Sequence, residues 1–263
     1  MAASLADCDA MIAAARESGV QLGVISQRRF YEPVRRLKAA IEAGKIGAPV
    51  LGTVLMLSWR DEAYYRSDPW RGRRDTEGGG VLVNQAPHHL DLLTWFMGPV
   101  QQVTGACANL NHPYIEVEDT ALAILRFRNG ALGSILTSLS QRPGIYTKLH
   151  IHGGNGASVG VETDTGATFV AGMTGVLHPP LNDLWTIPGE EALLSAFEAE
   201  DRGRFQAIDP TSHYHALQIR DFLCAVRDCR EPAVTAADGR AVVELFTAIY
   251  RSSHVGMPVC LPL

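Results

Sequence analysis

Residues 122–139, LAILRFRNGALGSILTSL, contain the pattern that decides the fold. Apolar side chains are concentrated in two segments, Leu122–Phe127 and Leu132–Leu139, and Asn129-Gly130 lies between them. Asn-Gly is a preferred pair in hairpin turns, because both residues tolerate a positive φ. The stretch therefore predicts two antiparallel strands joined by a tight turn.

The strand pattern continues on both sides of this hairpin, and helices follow it. The predicted elements are strands at Val50–Trp59, Lys148–His152, Ser158–Val161 and near Val259, and helices at His213–Arg227 and Asp238–Ser252. This order predicts an α+β fold with a large, mostly antiparallel open sheet packed on helices. One face of such a sheet normally covers the core, and the other can remain open for binding or association.

The beginning of the chain predicts a different kind of structure. Ser4 is a suitable N-cap for a first helix, and Pro33 suits the first turn of a later one. Between them, Gln21–Ile25 is a short apolar run that predicts a buried strand. This helix–strand–helix unit is too small to cover both faces of a parallel sheet. We therefore expect a short α/β unit at residues 1–46 and an α+β domain at residues 47–263.

The composition excludes several classes of protein. Of the 263 residues, 46% are hydrophobic and 19% are charged, which allows a substantial core. A net charge of -5 argues against a nucleic-acid surface, which needs clustered positive charge. We see neither a signal peptide nor an apolar stretch near the roughly 20 residues that span a bilayer. Five scattered cysteines favour free thiols in a reducing compartment, so we expect a cytoplasmic protein without membrane partners.

A polar stripe follows three consecutive glycines in residues 78–91, GGGVLVNQAPHHLD. Asn84, His88 and Asp91 occupy positions i, i+4 and i+7 of a helix that we expect to extend to about Met97, so they would share one face. An imidazole placed there could transfer a proton near neutral pH, oriented by an amide or a carboxylate. The same spacing also suits a histidine that is simply hydrogen-bonded, and spacing does not decide between the two interpretations.

This stretch resembles the GGGxxxDxxxHxxD signature of the Gfo/Idh/MocA oxidoreductase family. SQRRFYEP at residues 26–33, WRG at residues 70–72, NDLWTIPGE at residues 182–190 and the final helix pair are also similar to that family. The resemblance covers essentially the whole chain. Members bind NAD(P) on an N-terminal Rossmann domain and oxidise or reduce a carbon of a sugar or polyol.

The resemblance implies roles for particular residues. His88 would transfer the proton, Asn84 would assist it, and Gln27 and Arg29 would contact the cofactor. Asp91 would either contact the substrate or support the residues that do. The family usually has aspartate where Asn84 stands. An asparagine can orient a histidine but cannot supply the negative charge that stabilises an imidazolium, so the resemblance implies an altered proton relay.

Other candidate residues lie outside the helix. Trp70 could stack on a sugar ring, and Arg71 could pair with hydroxyl or phosphate oxygens, although packing of this loop onto the sheet explains both residues equally well. His152 could reach the substrate from a strand, although its position suits an exposed histidine or one hydrogen-bonded in the core better. The histidines lack zinc-type spacing, so we expect no metal site. Gly154 and Gly156 imitate a dinucleotide-binding loop, but a strand follows them rather than a helix, which predicts a turn.

The family's Rossmann glycine fingerprint and its Glu-Lys-Pro motif are not found in the sequence, and the alignment puts that motif immediately before Met1. We therefore expect residues 1–46 to be a remnant of the dinucleotide-binding domain. The intact protein would use NAD or NADP, and this chain alone would bind neither. Two alternatives stay open: a non-catalytic sugar-binding or assembly module, and an NAD-dependent glycosidase of the same family. We also expect a homo-oligomer formed through the open sheet.

Overall fold

The computed structural model describes residues 1–163, 168–170, 173–175 and 177–263. The helices are α1 Leu5–Glu17, α2 Glu32–Glu42, α3 Glu62–Arg66, α4 Val81–Asn84, α5 Pro87–Met97, α6 Leu193–Gln206, α7 His213–Arg227 and α8 Ala236–Val255, with a 3₁₀ turn at Gln27–Phe30. The strands are β1 Pro49–Leu57, β2 Val100–Ala108, β3 Thr120–Phe127, β4 Leu132–Ser138, β5 Tyr146–Gly153, β6 Ser158–Thr163, β7 Thr168–Val170, β8 Met173–Gly175, β9 Leu181–Trp185 and β10 Val259–Cys260.

The described strands form one large sheet and one small one. The large sheet has eight strands in the order β10-β2-β3-β4-β1-β5-β6-β9, and β7 pairs with β8 separately. Within the large sheet β1 and β4 are parallel, and the other neighbouring strands are antiparallel. The prediction of an α+β fold with a large, mostly antiparallel sheet is confirmed.

Both predicted hairpins are present. Strands β3 and β4 pair in the register Leu122↔Leu136, and the turn between them contains Gly130 with a φ of 87°. Strands β5 and β6 form the second hairpin, and its turn contains Gly154 and Gly156. These glycines therefore belong to a hairpin turn, as predicted, and not to a loop that opens a helix.

The two faces of the large sheet differ in burial. Leu125 and Ile135 are at most 2% exposed on the face that carries the core. On the opposite face Leu122, Ile124 and Leu132 are 48%, 65% and 46% exposed. Because side chains alternate along a strand, each strand contributes to both faces. The sheet thus keeps one apolar face buried and one open.

The N-terminal segment packs on the rest of the chain. Ser4 Oγ accepts a hydrogen bond from the Asp7 amide at 3.1 Å, which caps α1, and α2 begins with Pro33 in its first turn. Helix α1 packs against α8, and α2 packs against β6. The predicted helices of this segment are confirmed, whereas the division after residue 46 stays a prediction.

The predicted strand at Gln21–Ile25 is wrong. Within the described residues, Gly23 forms one isolated antiparallel bridge to Thr235, and the segment is otherwise irregular. A strand requires a neighbour that exchanges backbone hydrogen bonds with it along its length. The apolar composition of the segment favours burial or pairing, but it cannot provide that neighbour.

The predicted continuous helix after the glycines is also wrong, because it consists of α4 and α5 with Gln85 and Ala86 between them. The break lies before Pro87, which lacks an amide hydrogen and whose ring would clash with the carbonyl of the preceding turn. Asn84 therefore ends one helix, and His88 lies in the first turn of the next. Their predicted spacing along one helix face does not hold.

Two further findings concern membranes and cysteines. None of the helices in the described ranges is both long and apolar enough to cross a membrane. All five cysteines are free thiols, and Cys8 is completely buried. Cys8 therefore contributes to the packing of the core, and none of the five cysteines forms a cross-link.

Candidate functional site

The glycines before α4 allow the backbone to pass close to two fixed groups. A Cβ atom at Gly79 would overlap the Tyr250 hydroxyl, and one at Gly80 would overlap the carbonyl oxygen of Glu118. The Glu118 carboxylate accepts hydrogen bonds from the amides of Gly80 and Leu82 and, at 2.7 Å, from the Tyr250 hydroxyl. The start of α4 is thereby fixed against β3 and α8, and the residues that follow are held in place.

Asn84 is paired with a carboxylate that the sequence interpretation missed. Its Nδ2 donates to Glu77 Oε1 at 2.5 Å, and the Gly72 amide donates to Glu77 Oε2 at 2.5 Å. Burial raises the pKa of Glu77, although these two hydrogen bonds and the charge of Arg71 oppose the rise. The sequence places this carboxylate next to the family signature, because Glu77 directly precedes the three glycines. Asn84 thus lies beside a carboxyl group, even though it does not carry one itself.

His88 lies at the wall of a cleft of about 310 Å³. Its imidazole is half-buried. The polar side chains around the cleft belong to Ser26, Glu77, His88 and Asp91, and the remaining lining is mostly aliphatic. The N-terminal residues 1–3 line the same cleft. The structure therefore brings His88 and Glu77 to one concave surface, and Asn84 is connected to that surface through Glu77.

Asp91 and Arg29 contact each other. Arg29 donates from Nε to Asp91 Oδ2 at 2.8 Å and from Nη2 to Oδ1 at 2.6 Å, and Ser26 Oγ donates to Oδ2 at 2.5 Å. Arg29 also lies 3.2 Å from Asp238 and over the Trp95 ring. Burial raises the pKa of Asp91, and the hydrogen bonds from Arg29 and Ser26 oppose that rise.

These contacts favour a positioning role for Arg29 and Asp91 over the predicted ligand contacts, because both side chains are already bonded. They join the 3₁₀ turn at Gln27–Phe30 to α5, which carries His88. Gln27 differs from them, since its Oε1 is buried without a hydrogen-bond partner. The predicted cofactor contacts of Gln27 and Arg29 and the predicted substrate contact of Asp91 stay predictions.

Trp70 and Arg71 form part of an aromatic and basic cluster. The Arg71 guanidinium lies 4.3 Å from the Trp70 ring centre and 4.4 Å from that of Tyr64. Arg71 also donates to Asp68 at 2.9 Å and to the Tyr64 hydroxyl at 2.7 Å. Gln85 Nε2 donates to the same hydroxyl at 2.9 Å. The predicted loop is therefore joined to the break between α4 and α5, and Trp70 remains 38% exposed.

His152 is not brought to the His88 cleft. A Cβ atom at Gly52 of β1 would meet side chains of α5, and Gly52 pairs with Ile151, so Ile151 lies on the α5 side of the sheet. The neighbouring residue His152 therefore points to the opposite face, where its Nδ1 lies 2.8 Å from Ser158 Oγ. Burial and the charge of His150 lower the pKa of His152. Within the described residues no group of His, Cys, Asp and Glu side chains could hold a metal ion.

The comparisons with known proteins agree with this architecture. A family model described as the GFO/IDH/MocA C-terminal domain matches residues 34–159. The chain is 32% identical to myo-inositol 2-dehydrogenase of Thermotoga maritima over 157 residues, which cover 58% of this chain and 45% of that protein. It is 26% identical to the uncharacterized oxidoreductase YrbE of Bacillus subtilis over 262 residues, covering 98% of this chain and 68% of that protein.

A solved structure gives a match over the full chain. The WlbA dehydrogenase from Bordetella pertussis, in complex with NADH and UDP-GlcNAcA, superposes with a TM-score of 0.79 at 31% sequence identity. The match covers 100% of this chain and 70% of WlbA, whereas the match to the Thermotoga protein spans less than half of that relative. On these grounds, the chain belongs to the Gfo/Idh/MocA family of oxidoreductases.

Proposed function

We propose that this chain forms the substrate-handling part of an NAD(P)-dependent oxidoreductase that acts on a secondary alcohol of a sugar or polyol. The observation that carries the proposal is the half-buried His88 imidazole, which shares a cleft with the Glu77 carboxylate. His88 occupies the histidine position of the family signature. Relatives named as a myo-inositol dehydrogenase and a sugar-nucleotide-bound dehydrogenase support the substrate class.

His88 is proposed to move the proton. A ring nitrogen of His88 takes the proton of the substrate hydroxyl during oxidation and returns it during reduction. Asn84 orients the site, and Glu77, 2.5 Å from Asn84, supplies the negative charge that an aspartate at position 84 would otherwise provide. In this proposal the carboxylate that assists His88 belongs to Glu77, before the glycines, and not to a residue of α4.

The described residues fit part of a nicotinamide cofactor. The buried Gln27 Oε1 needs a hydrogen-bond donor and suits an amide group of such a molecule. The Arg29 guanidinium is already bonded, and the glycine turn between β5 and β6 opens no helix that could hold a pyrophosphate. Acceptance of hydride from the carbinol carbon is the chemistry that NAD(P) supplies when it is bound.

A direct test compares turnover in two histidine variants. The chain, expressed together with any in-frame upstream sequence, is mixed with NAD⁺ or NADP⁺ and a panel of sugars and polyols, and reduced nicotinamide is followed by absorbance. His88→Ala should lower kcat at least about 100-fold, since general base catalysis typically contributes that much. His254→Ala, which changes an exposed histidine of α8, should leave kcat unchanged.

Three outcomes decide the proposal. Turnover that persists in His88→Ala would contradict the assigned base. Sugar binding without any nicotinamide reduction would favour the non-catalytic module instead. Stoichiometric uptake of NAD(P) by residues 1–263 alone, measured by calorimetric titration, would contradict the expectation that this part binds no cofactor by itself.

We also propose that the open face of the large sheet joins two copies of the chain. Leu122, Ile124 and Leu132 expose adjacent apolar side chains on β3 and β4. Apolar side chains grouped on one surface are typical of association sites, and two copies related by a twofold axis would bury the same surface on each partner.

A further inference from the structure

Arg60 carries a buried charge for which the described part of the chain offers no counter-ion. The residue lies just after β1 and is 7% exposed. Its Nη1 donates to the Trp59 carbonyl at 2.8 Å, its guanidinium lies 5.4 Å from the Tyr64 ring centre, and its Nε has no hydrogen-bond partner. Arg29, which is also buried, differs because it pairs with Asp91. An unpaired buried charge is costly, so this position requires an explanation.

Four other buried polar atoms without a hydrogen-bond partner lie in the same region. They are the Tyr65 hydroxyl, Gln85 Oε1, Ser140 Oγ and Gln141 Oε1. Together with Arg60 we call these residues the Arg60 cluster. Native proteins satisfy nearly all buried polar groups, so several unsatisfied groups in one place indicate a missing ligand or water.

Contacts between neighbouring residues place the members of the cluster on adjacent elements. The Tyr64 and Tyr65 rings are 5.0 Å apart, and Gln85 donates to the Tyr64 hydroxyl. The Arg60 amide donates to the carbonyl of residue 139, directly before Ser140. The cluster therefore joins the end of β1, the end of β4 and the break between α4 and α5.

We propose that the Arg60 cluster binds an anionic oxygen group, a carboxylate or a phosphate, that the sugar ligand carries. A guanidinium presents a planar fork of donors that matches either group. Tyr65 and Ser140 provide hydroxyl donors, and the side-chain oxygens of Gln85 and Gln141 accept from sugar hydroxyls. The inference rests on the proposed function in one respect, namely that the site takes a sugar.

The position of the cluster links it to the proposed chemistry. Gln85 lies in the two-residue break before α5, and His88 lies in the first turn of that helix. A sugar whose acidic group is held at Arg60 would therefore extend along this break toward His88. Burial raises the pKa of Tyr65, so its hydroxyl stays protonated and can donate to the anion. Trp70 and Tyr114, at 38% and 40% exposure, lie at the outer edge of the same aromatic group.

The test measures binding by the full chain, so it does not depend on turnover. D-glucuronate, α-D-glucose 1-phosphate and D-glucose are titrated by calorimetry at constant ionic strength, together with acetate and inorganic phosphate. We expect the charged sugars to bind at least about ten-fold more tightly than glucose, which corresponds to about 1.4 kcal/mol. Comparison of glucuronate with the sugar phosphate distinguishes a carboxylate site from a phosphate site.

Two variants test whether the preference for charged sugars depends on the buried Arg60 or on any nearby positive charge. Arg60→Met should abolish the preference for charged sugars and leave the affinity for glucose within about two-fold, because it removes the guanidinium and keeps a similar volume. Arg66→Met is the matched control, since Arg66 lies on nearby α3 with a 74% exposed side chain, and it should retain the preference.

The outcomes distinguish this inference from the proposed function. Equal affinity for glucose and the charged sugars in the wild type, or an undiminished preference in Arg60→Met, would overturn the Arg60 assignment and leave a neutral sugar site. Binding of acetate or phosphate that depends on Arg60, with no binding of any sugar, would support the anion site and contradict the proposed sugar substrate. Arg60→Met that fails to fold would also overturn the assignment, because removal of an unpaired buried charge should not destabilise the chain.

Discussion

Replacement of Arg29 by methionine should destabilise the fold, because it leaves the buried Asp91 carboxylate without its counter-ion. The Arg29 and Asp91 side chains are only 4% and 6% exposed, and two hydrogen bonds of 2.8 Å and 2.6 Å join them. In Arg29→Met, Ser26 still donates to Asp91, but the carboxylate stays in its buried position without the guanidinium. The 3₁₀ turn at Gln27–Phe30 also loses its connection to α5.

The expected magnitude follows from this burial. Removal of one partner from a buried ion pair typically costs about 3–5 kcal/mol, because the other charge remains desolvated. The remaining Ser26 hydrogen bond favours the lower part of that range, so we expect about 3–4 kcal/mol of unfolding free energy to be lost. At roughly 2–4 °C per kcal/mol for a chain of this size, Tm should fall by about 10 °C.

Urea denaturation followed by circular dichroism measures the effect in Arg29→Met, Asp91→Leu and the double variant. The double variant should recover most of the lost stability, because it removes both charges and replaces them by apolar side chains of similar size. Arg66→Met serves as the control, since its exposed pair with Glu62 should contribute less than about 1 kcal/mol.

A loss below about 1 kcal/mol in Arg29→Met would refute the reasoning. A double variant that is no more stable than the less stable single variant would refute it as well. Either result would mean that the pair does not fix the 3₁₀ turn on α5, and the predicted ligand contacts of Arg29 and Asp91 would then be the better explanation of these residues.

Three further predictions concern other parts of the structure. Gly80→Ala should lower the unfolding free energy by about 3 kcal/mol in urea denaturation, because the added Cβ would overlap a backbone carbonyl. In the same assay Gly203→Ala should be neutral or stabilising, because its Cβ would meet open space. Burial raises the pKa of Glu77 above its usual 4.5, so the charged form is disfavoured in the folded state. The stability of Glu77→Gln relative to the wild type should therefore increase as pH rises from about 4.5 to neutral. A constant difference in stability across that window would contradict this. Ile124→Lys should reduce the mass measured by light scattering to that of one chain, while Val226→Lys on α7 should not, and a monomeric wild type would contradict the proposed interface.

Several elements of the fold could be predicted from sequence because their signals are local. Asn129-Gly130 indicated the β3–β4 hairpin, Ser4 indicated the cap of α1, and Pro33 indicated the start of α2. Each of these signals involves residues a few positions apart, so backbone preference and side-chain period decide them without knowledge of the rest of the chain. Pro87 carried a local signal too, because a proline marks the break that the prediction of one continuous helix missed.

The site depended on contacts that local signals do not contain. Asp91, predicted to contact the substrate, is bonded to Arg29, 62 positions earlier in the chain, and the spacing of the motif does not indicate that contact. His152 lies on a strand as predicted, but only the packing of α5 on the other side of β5 decided which way it points.

The sequence by itself determined most of the strands and helices and the family signature that contains His88, because these depend on residue type and short spacing. Only the tertiary structure decided that Gln21–Ile25 forms no strand, that Glu77 reaches Asn84, and that Arg60 is buried without a described counter-ion. Strand pairing, burial and charge neutralisation are properties of groups that are distant in the chain and close in space. Spacing along the chain cannot specify them, whereas the packing of the sheet against its helices can.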